Sequence, residues 1–103
     1  MLIEILYFQG CPNAGIASQR VNAAMDATCA SAEIRCIAVN TPELARQMRF
    51  LGSPTVRVDG TDVEEGSERN TDYGLMCRTY RDAKVVEGAP SVHVIAQAIR
   101  RGA

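Results

Sequence analysis

Four cysteines, at positions 11, 29, 36 and 77, are the side chains of this chain best suited to covalent chemistry, because a thiolate is both a strong nucleophile and a soft ligand. Cys11 has the most informative neighbours. Leu2, Ile3, Ile5, Leu6, Tyr7 and Phe8 form an apolar run broken only by Glu4, the pattern of a strand covered on both faces. Gly10 ends that run, and a helical pattern opens directly after it. This places Cys11 at the expected N-cap and Pro12 at the first helical position, where a missing N–H has no helical partner to lose. A thiol at that joint faces unpaired amide donors and the positive end of a helix dipole, and both favour its thiolate. No His, Lys or Arg lies within five residues of Cys11, so stronger activation has to come from another part of the fold.

The cysteine spacing contains no Cys-x-x-Cys and no zinc-finger pattern; neither a metal site nor a cofactor is expected. The opening residues, Met1-Leu2-Ile3-Glu4, lack a basic region and a cleavage-site pattern, and no apolar run reaches the roughly 18 residues needed to cross a membrane. The chain therefore reads as cytoplasmic with no membrane partner, a setting in which cysteines point to thiol chemistry or plain burial rather than to a disulfide framework. Cys29, at a helix end, and Cys36, inside a strand, are expected to be buried. Cys77 follows a polar loop and adjoins Arg78, a cation that favours a thiolate, which makes it the expected second reactive thiol.

The elements that must position these thiols follow from periodicity. At 103 residues the chain has the length of one domain, residues 1–103, with a single core. A net charge of -1 supplies no basic field for nucleic acid. Ala14, Ala17, Val21, Ala24, Met25 and Cys29 recur at three- and four-residue steps, predicting a helix from 12 to about 30. Glu33 to Asn40 reads as a second strand. Thr41-Pro42-Glu43 then starts a second helix, with a capping hydroxyl, a proline in the first turn and an acid near the N-terminus, and Gly52 is expected to stop it.

Thr55 to Val58 leads into Asp59-Gly60, the strongest hairpin signal in the chain, with a partner strand expected over Thr61 to Glu64. Residues 64 to 74 are acidic and turn-rich. Leu75 to Tyr80 is expected to add a short strand, with Val85-Val86 returning beside it, and Pro90-Ser91 opens a last helix on which His93 takes a surface or packing role. The order of elements predicts an α/β fold whose first three strands are parallel, with helices on both faces of the sheet.

At this point the chain resembles the thioredoxin superfamily, on Gly10-Cys11-Pro12-Asn13 at the strand-to-helix joint and Ser53-Pro54-Thr55-Val56 before the hairpin. Leu6-Tyr7-Phe8, Leu51-Gly52 and Thr71-Asp72-Tyr73-Gly74-Leu75-Met76-Cys77-Arg78 add a narrower similarity to a group of small bacterial thioredoxin-like proteins, some of which carry an alkylmercury-lyase label. The resemblance implies a thioredoxin-like three-layer sandwich around a mixed sheet of four to five strands. It also implies a cis Ser53-Pro54 bond beside Cys11, with Pro12, Asn13, Ser53 and Pro54 contacting the substrate. One departure matters: the position of a second motif cysteine is occupied by Ala14, so exchange within a Cys-x-x-Cys ring is excluded.

The expected function is thiol-dependent redox chemistry, with Cys11 attacking a disulfide and Cys77 or an external thiol resolving the product. The expected partner is a thiol- or disulfide-bearing protein or small molecule. The alternatives are a thiol-based binder of a soft metal such as mercury, since two thiolates can hold one such ion linearly, and a thioredoxin-like interaction domain with a silent cysteine.

Overall fold

The computed structural model describes residues 1–102. Its main sheet contains β1 (Leu2–Tyr7), β2 (Glu33–Ala38), β3 (Thr55–Val58) and β4 (Thr61–Asp62), in the spatial order β2-β1-β3-β4. The helices are α1 (Ala14–Thr28), α2 (Pro42–Gln47) and α3 (Val92–Arg101). A separate two-stranded ribbon pairs β5 (Tyr80–Asp82) with β6 (Val85–Glu87). The architecture is α/β with a mixed sheet, and among the described residues no helix is long and apolar enough to cross a membrane.

Alternation along β1 divides the interior. Ile3 and Ile5, with Val56 and Val58 of β3, meet Ala17, Val21 and Ala24 of α1 and Ile95, Ala96 and Ile99 of α3 on one face. Leu6 points the other way, to Val39, Ala45 and Phe50, so α2 packs on the opposite face. Each fully buried Ile, Leu, Val or Phe here contributes about 1.5–3 kcal/mol, and these two clusters fix both ends of β1, which carries the Cys11 turn. A buried central strand explains why its sequence is almost continuously apolar.

The expected parallel arrangement of the first three strands is corrected by this structure. β2 runs parallel to β1, but β3 runs antiparallel to it, pairing Ile3 with Val58 and Leu6 with Thr55. The reason is length. Six residues of helix advance about 9 Å, whereas a six-residue strand covers about 20 Å, so α2 cannot carry the chain back to the start of the sheet. β3 therefore begins at the end where β2 finishes. Asp59 and Gly60 both adopt positive φ (49° and 84°), the geometry that Asp-Gly hairpins favour, and the return strand is shorter than expected at Thr61–Asp62.

Thr41 caps α2 by accepting a hydrogen bond from Leu44 N–H at 3.1 Å, and Ser91 caps α3 through Val94 N–H at 3.1 Å. Gly52 is not the residue that ends α2. That helix closes at Arg49, in the left-handed region at φ 54°, where Phe50 N–H reaches Ala45 C=O at 2.8 Å. Leu75 to Tyr80 is likewise not a continuous strand, since regular pairing starts only at Tyr80. His93 is exposed.

Candidate thiol site

Cys11 lies in the turn that joins β1 to α1. Its N–H donates to Phe8 C=O at 3.2 Å, Gly10 supplies a φ of 89°, and Ala14 N–H returns to Cys11 C=O at 3.4 Å. The helix begins later than the sequence suggests: Asn13 is the N-cap, without a side-chain capping bond, so Cys11 and Pro12 stand ahead of the helix instead of at its first positions. The hairpin-like turn at Phe8–Cys11 takes those residues before the helical hydrogen-bond pattern can start. Cys11 is half-buried and Pro12 exposed. Asn13 packs its side-chain amide against Gly88, at a position where a Cβ on residue 88 would collide with it.

Ser53 and Pro54, the other expected site residues, are joined by a cis peptide bond and both buried. Ser53 is the joint between the two cysteine-bearing segments. Its hydroxyl accepts from Phe8 N–H at 3.4 Å, while its backbone N–H donates to Met76 C=O at 2.8 Å and its C=O accepts from Arg78 N–H at 3.0 Å. These two backbone bonds form a lone parallel bridge between Ser53 and Cys77. Cys77 is exposed, flanked by the exposed apolar side chains of Leu75 and Met76. Residues 76–78 thus lie against the proline edge, and both polar backbone groups of Ser53 are taken by them. Gly52 makes that approach feasible: with φ at 115°, a Cβ there would stand 2.8 Å from Met76 O.

Arg78 does not serve the Cys77 thiol. Neighbouring side chains of an extended segment point to opposite sides, and the Arg78 guanidinium turns inward, 7% exposed. It donates to Asp62 at 2.7 and 3.0 Å, to Glu64 at 3.1 Å and to Thr55 Oγ1 at 3.0 Å, and it lies 4.6 Å from the centroid of the Tyr80 ring. Burial opposes the charge, but the hydrogen bond to Asp62 leads the interactions that hold Arg78 above the usual arginine range. Burial also raises the Tyr80 phenol well above its ordinary value, with the Arg78 charge opposing the shift. The Tyr80 hydroxyl donates to Pro54 C=O. The cluster therefore locks residue 78 to β3 and β4 and residue 80 to the proline. The sequence signalled only that Arg78 adjoins Cys77, because a partner set drawn from positions 55, 62, 64 and 80 has no local pattern.

Cys29 and Cys36 are both exposed, contrary to the expected burial. Cys29 closes α1 in the left-handed region at φ 54°, outside the buried stripe, and Cys36, although on the same face as Ile5 and Ile34, sits on the edge strand β2 and is open to solvent there. All four cysteines are free thiols. Among the described residues, no group of three or more His, Cys, Asp or Glu side chains is arranged to hold a metal ion. A cavity of about 520 Å³ is lined by Arg49, Arg57, Glu64, Tyr73 and Arg101, and one of about 360 Å³ by Tyr80, Asp82, Glu87, Ser91 and Val94, with neither thiol of the site on their walls. In comparisons with known proteins, no family model, no curated protein and no solved structure matches this chain.

Proposed function

We propose that this chain is a thioredoxin-like thiol–disulfide exchange protein in which Cys11 is the attacking thiol and Cys77 the second thiol. The observation that supports this reading is the hydrogen-bonded connection Cys11–Phe8–Ser53–Cys77, which brings the turn of one free cysteine and the strap of another to the same residue. Cys36 is also on a strand bonded to β1, but it lies opposite Ile5, six residues before Cys11, and Cys29 lies at the far end of α1. The Cys11 thiolate attacks one sulfur of a substrate disulfide, forming a mixed disulfide and releasing the other sulfur as a thiolate. The Cys77 thiolate then attacks the Cys11 sulfur and expels the second substrate thiolate. The two protein thiols have supplied two electrons, and a Cys11–Cys77 disulfide remains. That bond requires Cα atoms roughly 4.4–6.8 Å apart.

The test is reaction with oxidised glutathione followed by peptide mapping. The parent protein is expected to accumulate a Cys11–Cys77 link, the Cys77→Ser variant to stop at a glutathione adduct on Cys11, and the Cys11→Ser variant to form neither. An adduct that forms first on Cys29 or Cys36 would overturn the assignment of Cys11. A parent protein that stops at the Cys11 adduct would overturn the role given to Cys77.

A further inference from the structure

We propose that the outer edge of β2 is a self-association surface, and that its partner is the same edge of a second copy of this chain, antiparallel about a two-fold axis. β2 is the terminal strand of the main sheet on that side, bonded only to β1. Glu33 N–H donates to Met1 C=O at 3.0 Å and Val39 N–H to Tyr7 C=O at 2.7 Å, so the odd-numbered residues turn their backbone groups toward β1. Successive peptide groups of a strand point to opposite edges. The N–H and C=O groups of Ile34, Cys36 and Ala38 therefore point outward, and no other segment among the described residues bonds them. A six-residue open edge of this kind is a template for strand pairing.

Charge selects the partner and the register. Glu33 and Arg35 lie two residues apart on one face, both exposed, and bond each other at 3.2 Å. A symmetric antiparallel pair has to match outward-facing residues with outward-facing residues, which restricts the allowed registers. Centring the axis on Glu33 or on Arg35 opposes like charges, and centring it on Cys36 sets Arg35 against Ile37 and pairs no charges. Centring it on Ile34 places Glu33 of each copy opposite Arg35 of the other, twice. Opposite charges across a strand pair stabilise it and like charges destabilise it. A strand edge that carries one acid and one base at this spacing is complementary to itself.

Sedimentation equilibrium at high micromolar concentration tests the proposal on the full chain. The parent is expected to be dimeric. Glu33→Arg and Arg35→Glu each replace two attractive cross-strand pairs by two repulsive ones and are expected to weaken self-association by roughly tenfold or more. An equal mixture of these two variants is expected to restore the dimer, because every pair is then between opposite charges. Both positions are exposed, and far-ultraviolet circular dichroism verifies that the variants remain folded. The register has its own readout: Ala32→Cys is expected to form a disulfide with Cys36 of the partner subunit on mild oxidation, which the four-residue separation forbids within one strand. A monomeric parent, or single variants that dimerise as well as the parent, would overturn the proposal; a cross-link between two copies of Cys36 in the parent would overturn the register.

Discussion

Ser53 and Cys77 sit side by side as a single parallel bridge, with Ser53 N–H on Met76 C=O at 2.8 Å and Arg78 N–H on Ser53 C=O at 3.0 Å. This contact joins positions 24 residues apart (77 less 53) and brings the Cys77 strap to the proline edge. Its neighbours Gly52 and Arg78 hold it from either side, and both are open to direct measurement.

Gly52→Ala is expected to release the strap. The new Cβ would meet the backbone oxygen of Met76 at 2.8 Å, and an alanine at φ 115° is strained whatever the space. A strained backbone position costs roughly 1–3 kcal/mol. Urea unfolding should show that loss, and iodoacetamide should alkylate Cys77 faster than in the parent. An unchanged Cys77 rate would mean that the bridge does not restrain the thiol.

Arg78→Met removes a buried guanidinium and leaves Asp62, 14% exposed, without its cation. Breaking such a pair from one side costs roughly 3–5 kcal/mol, and the lower end applies because Glu64 is 42% exposed and can turn to water. The midpoint of urea unfolding reports this. Arg78→Lys should recover only part of it, since a single ammonium cannot reproduce the fork that reaches Asp62, Glu64 and Thr55 together.

Tyr80 predicts an alkaline limit. Its phenol is raised in the folded state relative to an unfolded value of about 10. Because the folded chain holds this proton more tightly, its contribution is complete below about pH 10 and is lost as pH rises beyond it, with a slope approaching 1.4 kcal/mol per unit. Stability measured from pH 8 to 12 should fall more steeply in the parent than in Tyr80→Phe. That variant should also be less stable at neutral pH by about 0.5–1.5 kcal/mol, for the lost bond to Pro54.

Arg20 ties α1 to the loop before α3, donating to Glu87 at 2.7 and 3.2 Å and to the carbonyls of Ala89 and Pro90 at 3.3 and 3.4 Å. The site is part-exposed, so Arg20→Ala is expected to cost only about 1 kcal/mol. Hydrogen exchange should quicken in residues 87–91 and not in β1, because the ion pair anchors that loop and not the sheet.

Local chemistry already determined several features of this protein. The apolar run of β1, the capping hydroxyls of Thr41 and Ser91, and the Asp59-Gly60 turn each depend on residues within a few positions of one another, and each is found where the sequence places it. The Ser53–Pro54 bond is cis, as expected. The tertiary structure alone decided the rest. The direction of β3 depends on how far a six-residue helix can carry the chain, the exposure of Cys36 on β2 being an edge strand, and the inward turn of Arg78 on acids that arrive from the hairpin. Periodicity records which residues share a face of one element; strand order, strand direction and the partners of a buried charge are set by contacts between elements, and those leave no spacing to read.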